Sequence, residues 1–224
     1  MVFFVKIFIF INLLIFVCPL LILGAEDIDP AMEFYLGKID SVLNSSTLFD
    51  NNLKSSVSLK SIYVKLNYRG IVSESDTANF LGSLLNGEFI KSQIIDTSYL
   101  DENIVPAKLQ FEKPWIFNCR FYFFPRDTGA GDLAIGFVPA DTLDKKAPEG
   151  IIIINRDTYR VKNIYLHYLN IEDYEWLSKS YQFVYENDIS LLKSLTIQGC
   201  YYGFFQRRFF RQDLIFDNYD FQEI

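Results

Sequence analysis

Histidine occurs once in the 224 residues, cysteine three times, and basic side chains are in deficit: 21 Lys and Arg stand against 28 Asp and Glu, a formal charge of −7. Each scarcity excludes something. One histidine, His167, with no cysteine beside it, assembles neither a zinc site nor a Ser-His-Asp relay. The expected state is a strand histidine with one satisfied hydrogen bond. Cys18, Cys119 and Cys200 show no metal-type spacing. Cys119 and Cys200 could pair in an oxidising compartment, but two buried thiols on separate strands is the simpler expectation. The acidic balance makes nucleic acid and anionic membrane surfaces poor default partners. No internal repeat and no low-complexity tract is visible.

What is present is apolar and aromatic, 50% hydrophobic and 17% Phe, Trp and Tyr, which suffices for one substantial core and argues for a single domain. Residues 7–23 (IFIFINLLIFVCPLLIL) are apolar apart from Asn12, follow Lys6, and lead into Gly24-Ala25 and then Glu26-Asp27. A basic head, an apolar run and small residues make a secretory signal, residues 1–25, cleaved after Gly24 or Ala25. An uncleaved anchor is the competing reading, since the run approaches the roughly 20 residues that span a bilayer. Removing residues 1–25 takes away Lys6 and no acid, leaving 20 basic against 28 acidic residues and a charge of −8. The expected mature unit is residues 26–224.

Past that segment the hydrophobic period is helical. Asp29 suits an N-cap, Pro30 the first helical position, and Met32, Tyr35, Leu36, Ile39, Val42 and Leu43 form one stripe ending at Asn44-Ser45-Ser46. From Ser58 to Tyr68 the period becomes two, with Ile62, Val64, Leu66 and Tyr68 as the expected apolar face. A second, shorter helix is expected from Asp76, with Phe80, Leu81, Leu84 and Leu85 on one side and Asn86-Gly87 as its stop. Strands then follow in series over 116–124, 132–138, 151–154, 159–169, 179–185, 195–205 and 209–216, with turns at 126–131, 155–157 and 187–188 and a polar loop over 139–150. The spacing predicts an antiparallel meander.

Motifs that suggest chemistry have simpler readings. Asp127-Thr128-Gly129-Ala130-Gly131-Asp132 lies between strands, so it is a hairpin turn and not a phosphate cradle. Glu172, Asp173 and Glu175 sit in one loop, whereas glycoside hydrolysis needs carboxylates facing each other across a cleft. The Arg-aromatic run 204–211 follows from strand alternation, with Arg207 and Arg211 wet and Phe210, Leu214 and Phe216 dry. Asn44-Ser45-Ser46 matches the glycosylation triplet, which one occurrence does not establish.

One feature remains: Phe117, Cys119, Phe121 and Phe123 form a continuous apolar face, extended by Phe137, Tyr181 and Phe183 among others. A solid sheet core under the helices is one reading. A curved sheet enclosing an apolar cavity is the other.

The segments Cys119-Arg-Phe-Tyr-Phe-Phe124, Leu133-Ala-Ile-Gly-Phe-Val-Pro139, Glu149-Gly-Ile-Ile-Ile-Ile-Asn-Arg-Asp-Thr-Tyr159 and Val161-Lys-Asn-Ile164 carry a resemblance. Within the order of export signal, helix, strand, helix and meander, the chain resembles the LolA/LolB-like periplasmic lipoprotein carriers and receptors. The match is nearest to the β-rich module of large diderm envelope proteins with a carboxypeptidase-like regulatory domain, and it covers roughly residues 105–220. It supplies no catalytic residue. It implies an α+β fold, a curved antiparallel sheet or open half-barrel with one or two covering helices. It also implies an apolar pocket for acyl chains or a lipidated partner.

The expectation is therefore an exported, non-catalytic, cofactor-free protein of the periplasm or the inner face of the outer membrane. It binds a lipid, an acyl chain or a lipidated protein through Phe117, Phe121, Phe123, Phe137, Tyr181 and Phe183, with helix 30–43 as a lid. The alternative is a structural or protein-interaction module of the envelope with a solid core.

Overall fold

The computed structural model describes residues 30–44, 53–67, 69, 71–85, 88–97, 108–110, 113–114, 117–124, 131–141, 147–171, 174–186, 189–201 and 208–223. The expected export segment, the cap Asp29, most of the 127–132 turn, Glu172, Asp173 and Arg207 lie outside them. The fold is carried by a compact unit spanning Ala31–Ile224. Among the described residues no helix is long and apolar enough to cross a membrane.

One helix, α1 (Pro30–Asn44), is present among them, with eleven strands: β1 (Leu53–Leu66), β2 (Val72–Leu85), β3 (Glu88–Thr97), β4 (Lys108–Gln110), β5 (Cys119–Phe123), β6 (Asp132–Pro139), β7 (Glu149–Asn155), β8 (Val161–Ile171), β9 (Tyr174–Glu186), β10 (Ile189–Tyr201) and β11 (Arg208–Glu223). All belong to one antiparallel sheet in the order β4-β3-β2-β1-β11-β10-β9-β8-β7-β6-β5, open at β4 and β5. This is the expected curved, open sheet with a covering helix. Every neighbour is a sequence neighbour except at the seam, where β1 pairs with β11.

The helical stripe behaves as its spacing requires. Met32, Ile39 and Leu43 are buried, four to seven residues apart on one face, and share a core with residues of β1, β2, β3 and β6–β11. Tyr35 and Leu36 pack at its margin. Apolar positions from so many strands gather under a helix only about 22 Å long because the sheet curls around it.

Two expectations are corrected. The second helix from Asp76 is strand β2, hydrogen-bonded on both sides, to β1 and to β3. Its register pairs Leu85 with Glu88 of β3; the expected helix stop Asn86-Gly87 lies outside the described residues. Ala78 and Phe80 are buried at strand spacing, and the ring of Phe89 from β3 lies against Gly82, where a side chain would block it. In β1 the faces are inverted: Ser55, Val57, Leu59, Ser61 and Tyr63 are buried, while Ile62 and Val64 are half-buried on the other side. Two inward serines conceal the alternation there. The expected wet and dry positions of β11 are observed, with Arg211 exposed and Phe210, Leu214 and Phe216 buried.

Candidate functional site

In an antiparallel pair, directly opposed residues point to the same side, so the registers define rows that run across the sheet. One row passes from β5 to β2 through Phe123, Ile135, Ile152, Ile164, Tyr181, Leu195, Leu214, Ser61 and Ala78. All but Phe123 are at most 4% exposed, and most belong to the core that includes α1. This is the inner face.

The row beside it, two residues along each strand and hence about 7 Å away, runs through Phe121, Phe137, Gly150, Leu166, Lys179, Ile197, Gln212, Tyr63 and Asp76. Its β5–β8 half is apolar. Its β9–β2 half carries a cation, an amide and a carboxylate. The inner face is therefore polarised, dry beneath the helix and polar at one margin.

Five of the six sequence-designated residues share this face. Phe137, Tyr181 and Phe183 are buried in the core, Phe121 is half-buried against it, and Phe123 is 37% exposed at its rim. The Phe121 and Phe137 rings meet at 5.8 Å, and Phe137 also covers Gly150. Phe117 stands apart. It occupies a turn before β5, its amide donating to the Pro114 carbonyl and its carbonyl accepting from the Cys119 amide, so the strand begins at Cys119, three residues later than the expected start at 116.

At the rim, aromatic rings of α1 meet the β5–β8 end of the sheet. Tyr35 lies 5.7 Å from Phe123 and 5.8 Å from Tyr159, and Phe34 lies 5.9 Å from Tyr159. Phe34 is 51% exposed. Tyr159 is set there by the turn between β7 and β8. The Asn155 side chain accepts from the Asp157 and Thr158 amides and the Thr158 hydroxyl, the Tyr159 amide bonds the Asn155 carbonyl, and Tyr159 takes a left-handed φ of 57°. Sequence reading placed the turn but not this consequence for Tyr159.

Lys179 was also passed over, although its parity with Tyr181 and Phe183 in β9 marks it as inward. Its ammonium lies 5.5 Å from the centre of the buried Tyr168 ring. Near it, Gln212 is 5% exposed and its side-chain amide donates to the Ser61 hydroxyl at 3.1 Å. Deeper phenols stay protonated: burial raises the pKa of Tyr185, whose hydroxyl donates to the Val161 carbonyl at 3.0 Å. Burial and Asp217 raise that of Tyr219, whose hydroxyl donates to the Leu192 carbonyl.

The outer face holds the lone histidine. His167 Nδ1 lies 2.7 Å from the Ser178 hydroxyl, the satisfied strand histidine expected, and burial lowers its pKa. Glu149 is its opposite number on β7, its carboxyl raised by burial. No disulfide joins Cys119 and Cys200; they lie on β5 and β10, on opposite faces of the sheet.

No family model matches the chain, and no curated protein matches it. Among solved structures, a candidate outer membrane lipoprotein-sorting protein domain from Vibrio parahaemolyticus is similar at 11% identity and a TM-score of 0.45, over 85% of this chain and 93% of that one. The Pseudomonas aeruginosa MucA/MucB complex follows at 7% identity and a TM-score of 0.24, over 82% and 93%.

Proposed function

We propose that the chain is an exported, non-catalytic binding module of the cell envelope that takes up an acyl chain, free or on a lipidated protein, between α1 and the inner face of the sheet. The observation that carries this reading is the graded row from the exposed Phe123 to the buried Tyr181, roofed by a helix whose described contacts at the rim are aromatic rings. A hydrocarbon chain entering beside Phe34 and Phe123 moves along apolar side chains throughout, gaining about 0.8 kcal/mol per methylene removed from water. Phe34 and Tyr35 at the rim end of α1 meet the sheet by ring edges, so a chain enters beside them while Met32, Ile39 and Leu43 keep the helix packed on the core.

The non-catalytic part of the reading rests on the outer face. Among the described residues His167 and Ser178 pair with each other across β8 and β9, where the strand amides are engaged in the ladder.

Native mass spectrometry of the purified protein, with displacement of a fluorescent fatty acid, tests the proposal. Co-purified or exchangeable acyl ligand supports it. A protein that arrives empty and fails to bind the probe overturns it. The rival reading, an interaction module, draws on the β5 edge: Cys119–Phe123 ends the sheet among the described residues and offers a strand for augmentation. An acyl-free protein whose partner is lost on Tyr122→Pro would favour that rival.

A further inference from the structure

The ladder between β5 and β6 fixes which backbone groups of the sheet's last strand face outward. The Phe124 amide donates to the Ala134 carbonyl and the Ala140 amide to the Asn118 carbonyl, both at 2.9 Å. In the same register Arg120 faces Val138 and Tyr122 faces Gly136, and alternation makes these the bonded pairs. The amides and carbonyls of Phe121 and Phe123 therefore project away from β6, and among the described residues nothing bonds them. Edge strands are commonly guarded by a proline, a bulge or an inward charge. β5 contains no proline, its register runs without a shift, and its inward side chains are Cys119, Phe121 and Phe123. Its one charge, Arg120, turns back to donate to the Ala140 carbonyl at 2.8 Å. The edge is unguarded, with Phe123 exposed at its rim.

We propose that β5 pairs antiparallel with β5 of a second copy of this chain, about a two-fold axis through Tyr122. That register sets Phe121 of each copy opposite Phe123 of the other. Each strand offers two outward amides and two outward carbonyls at these residues, so four hydrogen bonds satisfy them all. Arg120 falls opposite Phe124, and no like charges meet. On the inner face the row ending at Phe123 runs on into the row of the second copy that ends at Phe121, which covers the exposed ring. A second copy brings a strand that is already ordered, whereas an unfolded peptide loses conformational entropy on docking. Symmetry also favours this partner. Pairing β5 with itself closes at two chains, while pairing it with β4, the other end of the sheet, leaves an edge open for further copies. The contact is small, so the dimer forms at raised protein concentration. The pairing uses edge backbone and stands apart from acyl binding.

Sedimentation velocity over a concentration series of the purified protein tests the inference, with hydrogen exchange followed by mass spectrometry. The mass should rise from one chain toward two. Exchange over residues 119–124 should slow about tenfold once about nine chains in ten are paired, other segments being unchanged. Phe123→Pro removes an outward donor and no bond to β6, so it should abolish the dimer while the far-ultraviolet circular dichroism stays that of wild type. A single-chain mass at every concentration overturns the proposal and leaves the edge to a strand from another protein. A dimer that persists in Phe123→Pro, or that slows exchange elsewhere and not at 119–124, overturns it as well. The exchange measurement is made on the wild-type protein and needs no variant to fold.

Discussion

Replacing Gly150 by alanine tests the register on which the inner face depends. A Cβ there would meet Phe137 Cζ at 2.8 Å and the Tyr165 carbonyl carbon at 2.9 Å, with the Tyr165 carbonyl oxygen closer still. Phe137 has room to rotate only by disturbing Phe121. The Tyr165 backbone has none, because it is the paired strand itself. Relief therefore requires β7 and β8 to part. Overpacking costs about 1–3 kcal/mol, and loosening a ladder bond or two adds roughly 1 kcal/mol each. The reduced freedom of the unfolded alanine chain returns up to about 1 kcal/mol. The net expectation is a loss of about 3 kcal/mol, or a Tm lower by roughly 6–12 °C for a domain of this size. Circular dichroism melts and urea titration measure it. Gly37→Ala is the matched control: nothing lies within 4 Å of that position in α1, and the better helix former should raise stability by about 1 kcal/mol. A Gly150→Ala protein that melts within 2 °C of wild type would refute the close approach of β7 and β8.

Other perturbations read other parts of the molecule. Ile39→Ala, which removes a fully buried contact of α1, should cost about 3 kcal/mol in urea unfolding. Burial holds His167 below its ordinary 6.5, so the unfolded chain binds that proton more readily, and its contribution is present above pH 6.5 and lost as pH falls through the folded value. The stability difference between wild type and His167→Gln should accordingly grow from pH 5 to 7. Glu149 has the opposite sign, its raised carboxyl favouring the fold at low pH and losing that contribution as pH rises, so Glu149→Gln should remove a falling limb. In the native protein an alkylating reagent followed by peptide mass spectrometry should label the half-buried Cys119 well before the buried Cys200, and reduction should leave the Tm unchanged.

The sequence was most legible where one face is dry and the other wet. α1 and β8 follow their periodicities closely because Met32, Ile39 and Leu43, or Ile164, Leu166 and Tyr168, are buried at the spacing of their element. β2 was misread because Phe80, Leu81, Leu84 and Leu85 satisfy a helical period as well as a strand one, and only the pairing with β1 and β3 decides between them. β1 was inverted because its inward serines are buried by neighbours distant in sequence, Ser61 beside Leu214. The inner-face phenylalanines share parity within each strand, which local sequence shows. That they form one surface depends on registers between strands, which it does not. Phe117 lies in a turn that starts β5 late, which alternation alone does not show.

The seam between β1 and β11 bears on how the molecule comes to exist. Ser61 and Gln212, hydrogen-bonded in the middle of the sheet, are 151 positions apart along the chain. Until β11 is in place, β1–β4 and β5–β10 are two separate ladders, each with a raw edge where the other belongs. Loop-closure entropy is met in full only at that late step, so β11 should be rate-limiting for assembly, with refolding toward the slow end of the millisecond-to-second range of antiparallel proteins. A chain stopped short of Arg208 would hold most of its hydrophobic residues and still lack the strand that makes them one core.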